Sequence, residues 1–138
     1  MRHRIQSSRF GRSSSHQKTL LASLVCALIK ERRIVTTARK AQVARRLAER
    51  TMTMAKSGTL AARRRALRVL HNKQAVKILF ADLAPVYKDR SGGYCRMVKT
   101  GLRRGDASPK AILEWVGLSQ MDRTKKKPAE EEKKPAAS

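Results

Sequence analysis

The sequence predicts an α+β body of about four helices packed against a small mixed or antiparallel three-stranded sheet, with an extended basic N-terminal arm and a disordered C-terminal tail. Three observations lead there. Apolar residues recur at helical spacing from Leu20 to Leu83, the period changes to strand-like alternation after Pro85, and both ends lack the apolar content to build a core. At 138 residues and 41% hydrophobic, one core suffices. The expected divisions are an arm over residues 1–13, a globular domain over 14–117, and a low-complexity Lys/Glu/Pro/Ala tail over 118–138.

The elements follow in order. Ser14 with Gln17 forms a capping-box pattern ahead of Leu20, Leu21, Leu24, Val25, Leu28 and Ile29, which predicts a buried helix over about 15–32. Ile34-Val35-Thr36-Thr37 is β-branched throughout and suits a short strand, after which Thr37 caps a second helix. In that helix Ala41, Ala44, Ala48, Met52 and Ala55 share one stripe while Arg39, Arg46 and Arg50 project from the other side. Ser57 and Gly58 interrupt, and Thr59 caps a third helix in which Leu60, Leu67 and Leu70 alternate with Arg63, Arg64, Arg65 and Arg68. Asn72 restarts a helical pattern through Val76, Leu79, Phe80 and Leu83, with Phe80 expected in the core and Pro85 expected to stop the helix. Tyr94–Thr100 and Ala111–Val116 then read as a hairpin joined by a long basic connection, with Trp115 in the core.

Charge dominates the composition. Lys and Arg number 33 against 10 acids, a formal net charge of +23. Residues 119–138 hold six cations and four acids, so +21 resides on residues 1–118. A domain with this surplus repels itself, and its natural counter-charge is a polyanion met over much of the folded surface. Arg outnumbers Lys there, which suits forked donation to phosphate and stacking on bases.

Other chemistries find little support. His3, His16 and His71 stand apart, no phosphate-loop or dinucleotide glycine pattern occurs, and Cys26 and Cys95 lack the spacing of a redox or zinc motif, so buried thiols are expected. The expectation is therefore no catalysis, no metal, no cofactor and no small-molecule substrate. The apolar run Leu20–Ile29 is too short to span a membrane. Residues 1–18 have the Arg- and Ser-rich, acid-free composition of an organelle transit peptide, yet they run directly into a helix start and read as part of the mature body, with the cytosol as the default compartment.

Candidate polyanion-binding residues fall in three groups. The arm supplies Arg2, His3, Arg4, Arg9 and Arg12; the helices supply Arg39, Arg46, Arg50, Arg63 and Arg64; and two glycine-rich segments supply Arg90, Gly92, Gly93, Tyr94, Arg96, Lys99, Arg103 and Arg104. Paired glycines allow backbone to approach a sugar-phosphate chain, and Tyr94 either stacks on a base or anchors the strand. Aromatic residues make up only 4% and are scattered, which disfavours sequence-specific reading of single strands and favours recognition of a folded RNA by backbone and shape.

Taken together, Met1-Arg2-His3-Arg4, Ser13-Ser14-Ser15-His16, Ile34-Val35-Thr36-Thr37, Ala55-Lys56, Arg90-Ser91-Gly92-Gly93-Tyr94, Arg96, Lys99 and Arg103-Arg104-Gly105-Asp106 followed by Pro109 resemble the bacterial large-subunit ribosomal protein seventeen family over about residues 1–117. The resemblance implies an α+β body bound to large-subunit ribosomal RNA beside neighbouring large-subunit ribosomal proteins, on the side where the nascent chain emerges, with a role in subunit assembly and translation. It assigns no role to residues 118–138. An architectural DNA-binding protein would share the charge and the helices, and an RNA-modifying or hydrolytic enzyme would need a pocket with a perturbed acid or nucleophile.

Overall fold

Ser13 begins the first helix: its Oγ accepts from the His16 amide at 3.4 Å, and α1 runs Ser14–Glu31. The computed structural model describes residues 9–118; Arg2, His3, Arg4 and the tail from 119 onward lie outside the described residues. The cap falls one residue before the expected Ser14, which is already helical, so the capping box is not the device that starts α1. The end of the arm is not extended. Phe10 and Gly11 both have positive φ, and the Arg12 amide closes a turn onto the Arg9 carbonyl at 3.0 Å.

Arg32 takes the left-handed conformation at the end of α1, φ 63°, and turns the chain straight into β1, Arg33–Thr37. Its carbonyl is then placed to accept from the Trp115 amide at 3.2 Å. Helix α2 spans Ala38–Lys56; Thr37 occupies its N-cap, but its side chain makes no capping bond, so it marks the boundary without the expected capping bond. Helix α3, Leu60–Leu70, is capped as expected by the Thr59 hydroxyl on the Ala62 amide at 3.2 Å. Asn72 likewise caps α4, Lys73–Ile78.

Pro85 does not stop the helical path. From α4 the chain widens into a π-helical stretch, Leu79–Leu83, and finishes in a short turn, α5, Ala84–Val86, that contains the proline. The Ala84 amide bonds back five residues to Leu79. The wider winding just ahead of Pro85 is the kind of local adjustment that lets a helix pass a residue with no amide hydrogen.

Strands β2, Cys95–Leu102, and β3, Pro109–Trp115, complete an all-antiparallel sheet of order β1-β3-β2, so the last strand is central. Tyr94 precedes β2 rather than opening it. On β3, Ala111, Leu113 and Trp115 point to the helices and are buried, while the paired rows Arg33–Glu114–Arg96 and Val35–Ile112–Val98 lie on the outer face. The register shifts by one residue between Lys99 and Gly101, a bulge on β2.

The core fills the space between sheet and helices. The alanine stripe of α2 is buried with Val25, Leu28 and Ile29 of α1 and with Leu79 and Leu83. The small side chains let α2 lie close to the sheet. Tyr87 meets Tyr94 edge to face at 5.6 Å and Trp115 at 6.1 Å. Each ring also satisfies its polar atom: the Trp115 indole N–H donates to the Leu28 carbonyl at 3.0 Å, and the Tyr87 hydroxyl to the Val116 carbonyl at 2.6 Å. Cys26 and Cys95 are buried thiols, and Phe80 is only half-buried, packed against the edge of the core.

Trp115 joins the sheet to α1 through both its ring and its N–H. Trp115→Ala is expected to lower unfolding free energy by about 3–5 kcal/mol. As the chain has one tryptophan, urea unfolding followed by far-ultraviolet circular dichroism is the measurement; a loss below about 1 kcal/mol would show that the ring is not a keystone of the core.

Candidate nucleic-acid interface

The alanine stripe that buries one side of α2 turns Arg39, Arg46 and Arg50 outward, all exposed. On α3, Ala62, Ala66 and Leu70 are buried and Arg63, Arg64, Arg65 and Arg68 are exposed. The Arg63 guanidinium lies over the Phe80 ring at 5.1 Å, which fixes its plane while leaving its edge in solvent. Arg39 donates to Gln42 at 3.1 Å. Since Thr37 pairs with Lys110, α2 starts at the hairpin-loop end of the sheet and runs toward the glycine turn before β2.

That turn is built by its own side chains. Arg90 Nε donates to the Gly92 carbonyl at 3.0 Å, Gly93 has φ +64°, and the Lys56 ammonium donates to the Arg90 carbonyl. Tyr94 is only 2% exposed; its hydroxyl lies 3.4 Å from Lys56 Nζ and donates to the Arg90 carbonyl at 3.3 Å. Of the two roles open to it, the ring takes the anchoring one. Glu49, on α2, completes the anchor. Its two carboxylate oxygens accept from the Cys95 amide at 3.0 Å and the Tyr94 amide at 3.2 Å.

The hairpin cations divide by partner. Arg96 and Arg33 flank Glu114 across the outer face of the sheet, Arg96 in direct hydrogen bond and Arg33 at 3.8 Å, and together they cover a carboxylate that is 4% exposed. Arg103 closes the loop with a two-pronged bond to Asp106, whose carboxyl it holds down at about 2. The Asp106 carboxylate also accepts from the Ser108 amide at 3.3 Å. Lys99, beside the bulge, and Arg104, at the loop, are exposed with no acid against them among the described residues. Arg9 is exposed, and Arg12 is half-buried with one bond to the Phe10 carbonyl at 2.9 Å.

The structure thus brings Arg39, Arg46 and Arg50 onto one helix face and places Arg64 and Arg65 on the adjoining helix. It sets Arg90, Arg96 and Arg103 into local networks of their own. Sequence reasoning missed Glu49, Glu114 and Asp106 as organisers. Their rarity was the available signal, because only Glu31, Glu49, Asp82, Asp89, Asp106 and Glu114 oppose the cations of residues 1–118.

Neither thiol is activated by its surroundings. Burial raises both thiols, with Glu49 adding to the effect at Cys95 and Lys30 opposing it at Cys26, and burial pushes the Tyr87 hydroxyl up to about 12. Among the described residues no three His, Cys, Asp or Glu side chains converge as a metal site, and no helix is long and apolar enough to cross a membrane.

The sequence profile of the family described as Ribosomal protein L17 matches residues 20–116. The chain is 46% identical over 134 residues to the large ribosomal subunit protein bL17 of Thermodesulfovibrio yellowstonii, covering 97% of this chain and 98% of that one. It is 50% identical over 108 residues to the protein of the same name from Desulforudis audaxviator, covering 78% and 96%, and 43% identical over 120 residues to that of Acidobacterium capsulatum, covering 87% and 75%. A profile match over most of the chain, and relatives this similar across most or nearly all of their own length, establish that the chain belongs to the ribosomal protein L17 family.

Proposed function

We propose that this protein is a non-catalytic constituent of the large ribosomal subunit that binds folded ribosomal RNA through phosphate and shape contacts and supports subunit assembly and translation in the cytoplasm. The observation that carries the reading is the uncompensated charge of the folded body. Residues 1–118 hold a surplus of +21, and Arg50, Arg64, Arg65, Arg68, Lys99 and Arg104 are exposed with no ion pair to an acid among the described residues. Phosphate is the matching counter-charge, and guanidinium is the group suited to grip it. The relatives are large ribosomal subunit proteins by name, which supports ribosomal RNA over DNA.

The proposed RNA-facing set joins Arg39, Arg46, Arg50, Arg63 and Arg64 of the helices with Arg9, Arg12, Arg90, Arg96, Lys99, Arg103 and Arg104, and with Arg2, His3 and Arg4 at the N-terminus. Gly92 and Gly93 contribute open backbone and Tyr94 the fixed base of their turn. The outer sheet face differs: its Val35, Ile112 and Val98 row is apolar, and the arginines beside it are already held by Glu114. A neighbouring ribosomal protein suits that apolar row better than phosphate does, and Arg96, exposed beside it, is the one residue of this face kept in the RNA-facing set.

Sedimentation of a cell lysate tests the placement: the protein is expected in the large-subunit fraction, and its absence there would refute the reading. Purified protein titrated with deproteinised large-subunit RNA should lose affinity linearly in log salt, at roughly 0.7–0.9 per phosphate neutralised. A flat salt response would refute the electrostatic mechanism.

Asp106 yields a second prediction. Asp106→Asn removes the charge that occupies the Arg103 fork, so the salt slope should steepen by just under one; an unchanged slope would mean that Arg103 does not reach RNA. Because the folded carboxyl is depressed to about 2, its contribution to loop order is complete above the usual carboxylate range near 4 and fades as pH falls through about 2. The Asp106 carboxyl resonance in a nuclear magnetic resonance titration should move there, not near 4.

A further inference from the structure

Where α2 and α3 diverge, an open groove of about 640 Å³ is lined by Glu49, Arg50, Met54, Ala61, Ala62 and Arg65 among others. Met54, half-buried, and Ala62, buried, give it an apolar patch beside the hydroxyl-bearing Thr53, Ser57 and Thr59, and it has an exposed arginine from each helix, Arg50 and Arg65, neither ion-paired among the described residues. The acid in the lining does not cancel them. Glu49 has both oxygens engaged by the Tyr94 and Cys95 amides and lies 3.9 Å from Arg45.

We propose that this groove holds one unstacked nucleobase of the bound RNA, with the flanking phosphates on Arg50 and Arg65. The inference rests on the ribosomal RNA reading and adds to it a site that is not phosphate alone. A nucleotide has the complementary make-up: flat faces that shed water against Met54 and alanine methyls, and an anionic backbone within reach of guanidinium groups. RNA-binding surfaces commonly take up splayed bases by stacking them on apolar, aromatic or guanidinium planes. An acidic peptide would satisfy the two arginines but leave Met54 and the alanine methyls uncovered. The expectation from sequence, an interface read by backbone and shape, is thereby extended by one base-sized contact with no aromatic ring in it.

The test separates base from phosphate. Ala61 is exposed at the groove, and Ala61→Leu intrudes on it without changing charge or helix propensity materially. Full-length wild type, Ala61→Leu, Ala61→Met and the Arg50→Gln/Arg65→Gln pair are titrated with deproteinised large-subunit RNA over a salt series, with thermal unfolding to verify each fold. Bases are then footprinted with dimethyl sulfate and carbodiimide. The fillers should weaken binding roughly tenfold at every salt concentration without changing the slope, and one base protected by wild type should regain reactivity. The arginine pair should lower the slope by roughly 0.7–0.9 per residue.

If both fillers fold and bind with wild-type affinity and footprint, the proposal is wrong. It is equally wrong if subunits carrying a filler keep every RNA protection but lose a neighbouring protein. Should wild type itself fail to bind RNA with a salt slope, the underlying ribosomal RNA reading fails; a normal wild-type slope with inert fillers removes the base site alone.

Discussion

The placement of a few carboxylates decides how this body folds under its own charge. Glu49 accepts two consecutive backbone amides at the start of β2 and stands beside Arg45; Glu114 lies under Arg33 and Arg96; Asp82 faces Arg32 at 3.6 Å; and Asp106 holds Arg103. The exposed pairs are individually weak, on the order of 0–1 kcal/mol. Glu49 and Glu114 differ in kind, because Glu49 bonds two backbone amides of another element and Glu114 is buried between strands. Removing the arginines around Glu114 would leave a buried carboxylate without compensation, which is costly. These contacts fix the sheet and its loops, and among the described residues Arg50, Arg64, Arg65, Arg68, Lys99 and Arg104 are exposed with no acid against them.

That division connects packing to function. Helix α2 is amphipathic in an unusual sense, with alanine on its buried side and arginine opposite. Alanine contributes little apolar area per residue, so the area must come from what it lets approach: the Tyr87, Tyr94 and Trp115 cluster, Leu113 and the α1 leucines. Close approach also makes the helix rigid, since rotation would drive methyls into the sheet. Its arginines therefore stand on a fixed frame roughly 27 Å long, whereas Arg103 and Arg104 are carried by a short hairpin loop tied by the Arg103–Asp106 pair and by the Arg103 amide on the Ser108 carbonyl at 2.9 Å. Preorganised and adaptable cations coexist on one chain.

Much of the architecture was legible because periodicity reports burial. The 3.6-residue pattern located the four helical segments, β-branching located β1, and alternation located the hairpin. What was not legible depended on tertiary choice. Ser13 and Ser14 are equally able caps, and the winding of one residue decides between them. The π-helical passage of Pro85 depends on the packing of Leu79 and Leu83, which no local rule registers. Glu114 sits on the outward row of β3 and reads as a solvent residue; it is buried only because Arg33 and Arg96 are its cross-strand neighbours. For the site, exposure of the helix arginines was legible and their pairing was not. Tyr94 shows the same limit: glycines before an aromatic residue suit either a stacking ring or an anchored one, and the Lys56 and Arg90 contacts decide for anchoring.

The same physics bears on why a folded RNA suits this surface better than a DNA duplex. A duplex reader concentrates cations along one stripe or one inserted helix, leaving the rest of the domain near neutrality. Among the described residues, exposed cations with no acid against them occur on α2, α3, β2 and the loop between the hairpin strands, which is a wider distribution than one stripe. A polyanion that reaches around the body meets all of them, and it relieves the mutual repulsion of all these groups together. On the proposed reading, the driving force for binding includes the removal of a cost that the free protein carries within itself, so the fold and the proposed RNA contacts are parts of one electrostatic problem.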